Sequence, residues 1–214
     1  MYGFSMKHIL ALLVLILCVL AADAAGQMRG LRNAPRERSW RIGIEGGIAT
    51  LGGDLTRVTG DHFPTPYGNI ELAHMLHRNV VVGLYGGGGR LRSRGENQES
   101  DAVFLGGGIL LELRLALARG SVFPLLQLRG GGLLLSPEIR ANTRTVTYEQ
   151  IRHMSYGIAV GVEAVSWRRI GVRLMAGVTY TTTDRLDAIV RGDDNDGFSF
   201  GTVSLLYYFG GGRR

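Results

Sequence analysis

The stretch GFSFGTVSLLYYF, residues 197–209, decides how this chain is read. From Gly201 it alternates. Gly201, Val203, Leu205, Tyr207 and Phe209 fall on one face; Thr202, Ser204, Leu206 and Tyr208 fall on the other. Period-two alternation marks a strand with two unlike faces. Residues 210–214, GGGRR, follow as a short tail. Such a strand says little alone. It becomes informative if enough others stand upstream to close a sheet around it.

Residues 40–51, 67–75, 80–92, 102–117, 122–135, 152–165 and 170–183 repeat the pattern. In the first, Trp40, Ile42, Ile44 and Ile48 oppose Arg41, Gly43, Glu45 and Ala49. In the others, Ile70 and Leu72 oppose Glu71; Leu111 and Leu113 oppose Glu112 and Arg114; Val160 and Val162 oppose Glu163; Val172 and Leu174 oppose Arg173. Pro124 sits near the start of its strand, where proline is tolerated. The connections alternate in length. Residues 52–66, 93–101, 136–151 and 184–196 are expected as long polar loops, and 76–79, 118–121 and 166–169 as tight turns. The fold class expected is all-β: an antiparallel up-and-down transmembrane β-barrel of about eight strands, occupying residues 39–209. Strands of ten residues or so cross a bilayer when tilted, and bacterial outer-membrane barrels pair short periplasmic turns with longer external loops.

Composition narrows the function classes. Hydrophobic residues at 45% and charged ones at 20% exclude a disordered chain. Glycine is abundant, at 33 of 214 residues, about twice the usual ~7%. The net charge of +6 is spread along the chain without a clustered basic motif, so nucleic acid is not an expected partner. Residues 1–24 read as a signal peptide: Lys7, the apolar run 9–20, then Ala22 and Ala24 in cleavage spacing. Residues 25–38 read as a flexible basic segment. Cys18 lies in the leader, and Leu17 before it does not suit lipidation, so the mature chain carries no thiol chemistry.

The pattern resembles the small bacterial outer-membrane barrels of the OmpA transmembrane-domain and OmpX type. In such barrels the last strand carries a polar residue, a small residue and two alternate aromatics that the barrel-assembly machinery reads. Thr202, Ser204, Tyr207 and Phe209 match it, with Ser204 where glycine is usual. The resemblance implies outer-membrane lipid and lipopolysaccharide as surroundings, the assembly machinery as a partner during biogenesis, no cofactor, and a structural or surface-interaction role. It does not imply the peptidoglycan binding of full-length OmpA. Two alternatives stand beside it. One is a narrow pore for ions or small solutes. The other is a soluble periplasmic barrel of the lipocalin kind, whose polarity is opposite: apolar inside, polar outside.

Candidate functional residues follow from strand parity. With a periplasmic N-terminus, Arg41, Glu45, Glu71, Glu112, Arg114, Arg129, Glu163 and Arg173 point into the lumen, low in the barrel. A barrel of eight strands is just wide enough to be filled by side chains. Charges there must pair, so an ionic plug is expected, with an ion or proton path as the sharper reading. Trp40, Trp167, Tyr207 and Phe209 are expected in a periplasmic aromatic girdle, and Tyr67, Tyr156 and Tyr180 in an external one. The glycine runs 86–89, 106–108 and 130–132 fall on neighbouring strands, as bends or as a thin wall beside a small cavity. Catalysis is not expected. His153 and Ser155 superficially resemble the His-x-Ser of lipid A deacylases, but Glu163 lies eight strand residues from Ser155. The acidic run 193–196, with Asp184 and Asp187, lacks the spacing of a calcium loop.

Overall fold

A computed structural model describes residues 38–52, 62–94, 98–115, 122–141, 144–147, 150–166, 169–182 and 197–210. Most of the expected leader and basic segment, Trp167 and the acidic stretch 184–196 lie outside the described residues. The strands are β1 (Ser39–Gly52), β2 (His62–Phe63), β3 (Thr65–His77), β4 (Val80–Arg94), β5 (Gln98–Arg114), β6 (Val122–Ala141), β7 (Arg144–Thr147), β8 (Ile151–Ser166), β9 (Ile170–Thr181) and β10 (Gly197–Gly210). Eight long strands follow one another antiparallel in the order β1-β3-β4-β5-β6-β8-β9-β10, and β10 returns to β1. Closure is complete along β1, from Ser39 opposite Gly210 to Gly52 opposite Gly197. A closed barrel leaves no open sheet edge, so each of these eight strands finds backbone partners on both sides.

The polarity of the two faces is the reverse of a water-soluble barrel. Outside stand Ile44, Ile48, Ile70, Leu84, Ile109 and Leu205, each more than half exposed. Inside, Arg41, Glu112, Glu163 and Arg173 are fully buried. A one-residue slip would exchange these faces, so the alternation fixes the register of each strand.

The interior has three levels. Next to the short turns, Ala73, Met75, Val81, Leu110, Phe123, Val165, Leu206 and Tyr208 form a lower apolar cluster. Towards the long connections, Leu51, Tyr67, Leu91, Phe104, Leu135, Phe198 and Phe200 belong to an upper one. The ionic side chains lie between. The upper aromatics need room, and interior glycines leave it. A Cβ on Gly89 would stand 3.1 Å from the Phe104 ring, and one on Gly177 would stand 2.8 Å from the tip of Phe200. Sequence reading foresaw small residues and ions inside and left a cavity open above the plug; Phe and Leu side chains are packed there instead.

Three expected loops are partly strand, residues 52–66 among them, where β2 and the start of β3 lie. β4 and β5 stay paired up to Arg94 opposite Glu99, so residues 93–101 are mostly a hairpin rather than a loop. Arg90 meets Asp101 at 2.6 Å and Arg92 meets Glu99 at 2.7 Å across this ladder. β6 continues to Ala141, and β7 folds back on it from Ala141 opposite Arg144 to Glu138 opposite Thr147. These extensions lack apolar alternation because neither face is covered by lipid or core, so backbone pairing and ion pairs hold them instead. At the other end of the chain, β10 takes in Gly210, whose φ of +70° suits glycine and ends the strand.

Candidate functional site

Neighbouring strands bring four arginines and four glutamates to one level of the lumen. Arg41 and Glu45 come from β1, Glu71 from β3, Glu112 and Arg114 from β5, Arg129 from β6, Glu163 from β8 and Arg173 from β9. All eight are at least nine-tenths buried. Glu112 is the hub. Arg41 grips it with both terminal nitrogens at 2.9 Å, Arg114 Nε donates to it at 2.7 Å, and Arg173 reaches it at 3.0 Å. Arg41 Nε also lies 2.8 Å from Glu71, and Arg173 donates to Glu71 at 2.7 Å. Below the hub, Arg114 donates to Glu163 at 2.8 Å and to the Tyr208 hydroxyl at 2.7 Å, while Tyr208 donates to Glu163. Above it, Arg129 donates to Glu45 at 2.9 Å and to the Tyr67 hydroxyl at 3.0 Å.

The charges balance, four against four, and every ion touches an opposite one. That is the condition for ions to persist away from water, because an uncompensated charge in a low-dielectric interior is strongly unfavourable. Forked arginine–carboxylate contacts add geometric definition that a point charge would not give. Two arginines also join the ionic level to the apolar ones. Arg129 lies over the rings of Tyr85 and Phe200 at 5.4 and 5.3 Å, and Arg114 over Phe123 and Tyr208 at 5.9 and 5.7 Å.

Several members were not assigned to the lumen network from sequence. Gln127 accepts from Arg129 at 2.6 Å, Asn69 donates to Glu45 at 3.0 Å, and Ser204 donates to Glu45 at 3.3 Å. Tyr208 is the most telling. It shares parity with Thr202 and Ser204, so the alternation of the last strand already turns it inward. Thr202 and Ser204 are buried, whereas Tyr207 and Phe209 face out and stack on each other at 6.3 Å.

The girdle expectation needs one correction. Tyr67 is not on the outer rim: it is buried in the lumen, with its ring among Phe104, Phe198 and Phe200. The physical reason is parity, since Tyr67 is two residues from Asn69 and four from Glu71 on the same strand face. Tyr156 and Tyr180 do face out, stacked at 5.8 Å on adjacent strands. Trp40, Tyr207 and Phe209 are exposed near the short-turn end, where Trp40 packs on His74 at 4.7 Å. Ser155 is buried, and Glu163 is committed to Arg114 and Tyr208, so the two form no nucleophile–base pair. Among the described residues no group of three or more His, Cys, Asp or Glu is placed to hold a metal ion.

Solved structures share this architecture. The chain is similar to Neisserial surface protein A (NspA), with a TM-score of 0.57 and 9% identity over 79% of this chain and 97% of that one. It is similar to Ail, the attachment invasion locus protein of Yersinia pestis, with a TM-score of 0.53 and 11% identity over 81% and 99%. The fold is that of the small outer-membrane barrels. No protein-family model matches the chain, and no curated protein matches it.

Proposed function

We propose that the mature chain is an outer-membrane barrel with a closed lumen, exported by the signal peptide at residues 1–24, that acts through its exterior. Its role is structural or interactive: to strengthen the outer membrane, or to present its external hairpins to lipopolysaccharide and outside partners. The last strand, with Thr202, Ser204, Tyr207 and Phe209, is the segment the assembly machinery reads. One observation carries the closed-lumen reading: a neutral, fully paired ionic level lies between two packed apolar levels. The apolar exterior supports lipid as the surrounding medium and disfavours the soluble ligand-binding barrel. No catalysis is assigned.

Planar-bilayer recording of the refolded barrel tests the lumen. Absence of stable unitary conductance is expected, and its presence would establish the pore instead. Carbonate washing of membranes tests the location: the protein is expected to stay in the pellet and to migrate differently on gels before and after heating. Release into the soluble fraction would overturn the membrane reading.

A further inference from the structure

A recess of about 540 Å³ opens on the outer wall where β5, β6 and β8 approach the long connections. Gly107 and Gly132 oppose each other across β5 and β6, and their bare backbone makes its floor. A Cβ on Gly132 would meet nothing closer than 4.0 Å. Leu105, Leu134 and Met154 make the walls, with Leu105 and Met154 mostly exposed. Arg152 stands at the upper end, opposite Leu134. It is exposed, and it makes no ion pair among the described residues.

Height gives the recess its meaning. Tyr156, two residues below Met154 on the same face, stacks on Tyr180, and exposed aromatic pairs of this kind mark the boundary of the hydrocarbon. Arg152 lies four residues further on, about 13 Å along the strand at ~3.3 Å per residue. Neighbouring strands turn polar at the same level: Ser136 follows Leu134 on the outer face of β6, and Asp101 precedes Val103 on that of β5, held by Arg90. The recess therefore starts at the hydrocarbon boundary and rises into the headgroup layer, with Arg152 at its headgroup end.

We propose that this recess seats the headgroup end of one acyl chain of lipopolysaccharide, with a lipid A phosphate on Arg152. The inference rests on the outer-membrane reading above. An apolar trough on the outer wall takes the upper methylenes of an acyl chain, and a guanidinium without an acidic partner among the described residues takes a phosphate through two parallel hydrogen bonds. The external end of the barrel selects the leaflet that lipopolysaccharide occupies.

The test uses the mature barrel refolded into zwitterionic phospholipid vesicles containing diphosphoryl lipid A, extracted gently and weighed by native mass spectrometry. One retained lipid A per barrel is expected. Gly132→Leu, which fills the recess, and Arg152→Ala should each lower the retained fraction at least about fivefold. Gly46→Leu, on an outer-face glycine with nothing within 4 Å of its Cβ position, should leave it unchanged. Equal retention in Gly132→Leu overturns the site. Equal retention of phosphatidylglycerol overturns the choice of lipid A. A barrel dimer that Gly132→Leu abolishes without lipid assigns the recess to a second copy of the chain and overturns the proposal. Heat-modifiable migration of the same samples separates the two readings. Failure to insert defeats the outer-membrane reading, whereas insertion without retention defeats the recess alone.

Discussion

Glu163 illustrates what one buried charge does here. It accepts from Arg114, Arg41 and Tyr208. Glu163→Gln leaves four arginines facing three glutamates, and breaking a buried pair from one side typically costs ~3–5 kcal/mol. The urea midpoint of the refolded barrel should fall accordingly. Adding Arg114→Met restores three against three and should recover part of the loss; no recovery would refute electrostatic imbalance as the cause. Glu112→Gln should lower the midpoint further than Glu163→Gln, because Glu112 serves three arginines and supplies the only forked contact of Arg41 among the described residues. Tyr208→Phe removes only a hydroxyl that accepts from Arg114 and donates to Glu163, so about 1.5–3 kcal/mol is expected. The inward residues were legible in the sequence because parity is a local property. Which arginine meets which glutamate was not, since Arg41 and Glu112 are 71 residues apart and meet only when the barrel closes.

At the scale of the element, glycine has two meanings that sequence alone does not separate. On the inner face it makes room: a Cβ on Gly89 would come within 2.6 Å of the Pro66 carbonyl and against the Phe104 ring. On the outer face it leaves bare wall: a Cβ on Gly130 or Gly46 would touch nothing within 4 Å. Gly89→Ala should therefore cost about 1–3 kcal/mol, the usual range for overpacking, while Gly130→Ala and Gly46→Ala should be near neutral. Urea titrations of the three variants check this, and equal losses would show that glycine acts through strand bending instead. The apolar alternation of the long strands was readable for a related reason. Where lipid lies on one side and ions on the other, the period of two is enforced at every residue. Beyond Arg90 and Val103 that constraint ends, the pattern fades, and the paired hairpin of β4 and β5 passes for a loop. Its backbone hydrogen bonds should still protect the amides of Leu91 and Ser93, which face β5, in hydrogen exchange, whereas a true loop would exchange them at once.

For the whole molecule, the three interior levels act in series. A solute or ion must pass the lower apolar cluster, the ionic level and the upper cluster of Tyr67, Phe104, Phe198 and Phe200. Weakening one level leaves the others in place. Phe104→Ala with Phe198→Ala opens space at the top, but the guanidinium–carboxylate level below stays paired and fills the bore. Glu112→Gln disturbs the middle, but the rings above exclude water. Each should remain silent in planar-bilayer recording. Combining the three changes removes packing and pairing together, and the lower cluster is then the remaining barrier, with Met75 and Leu206 as its flexible members. Brief, irregular current steps are expected from the combined variant alone. Steady conductance from either parent would mean that one level carries the whole barrier, and the lumen would be a gated pore rather than a packed core.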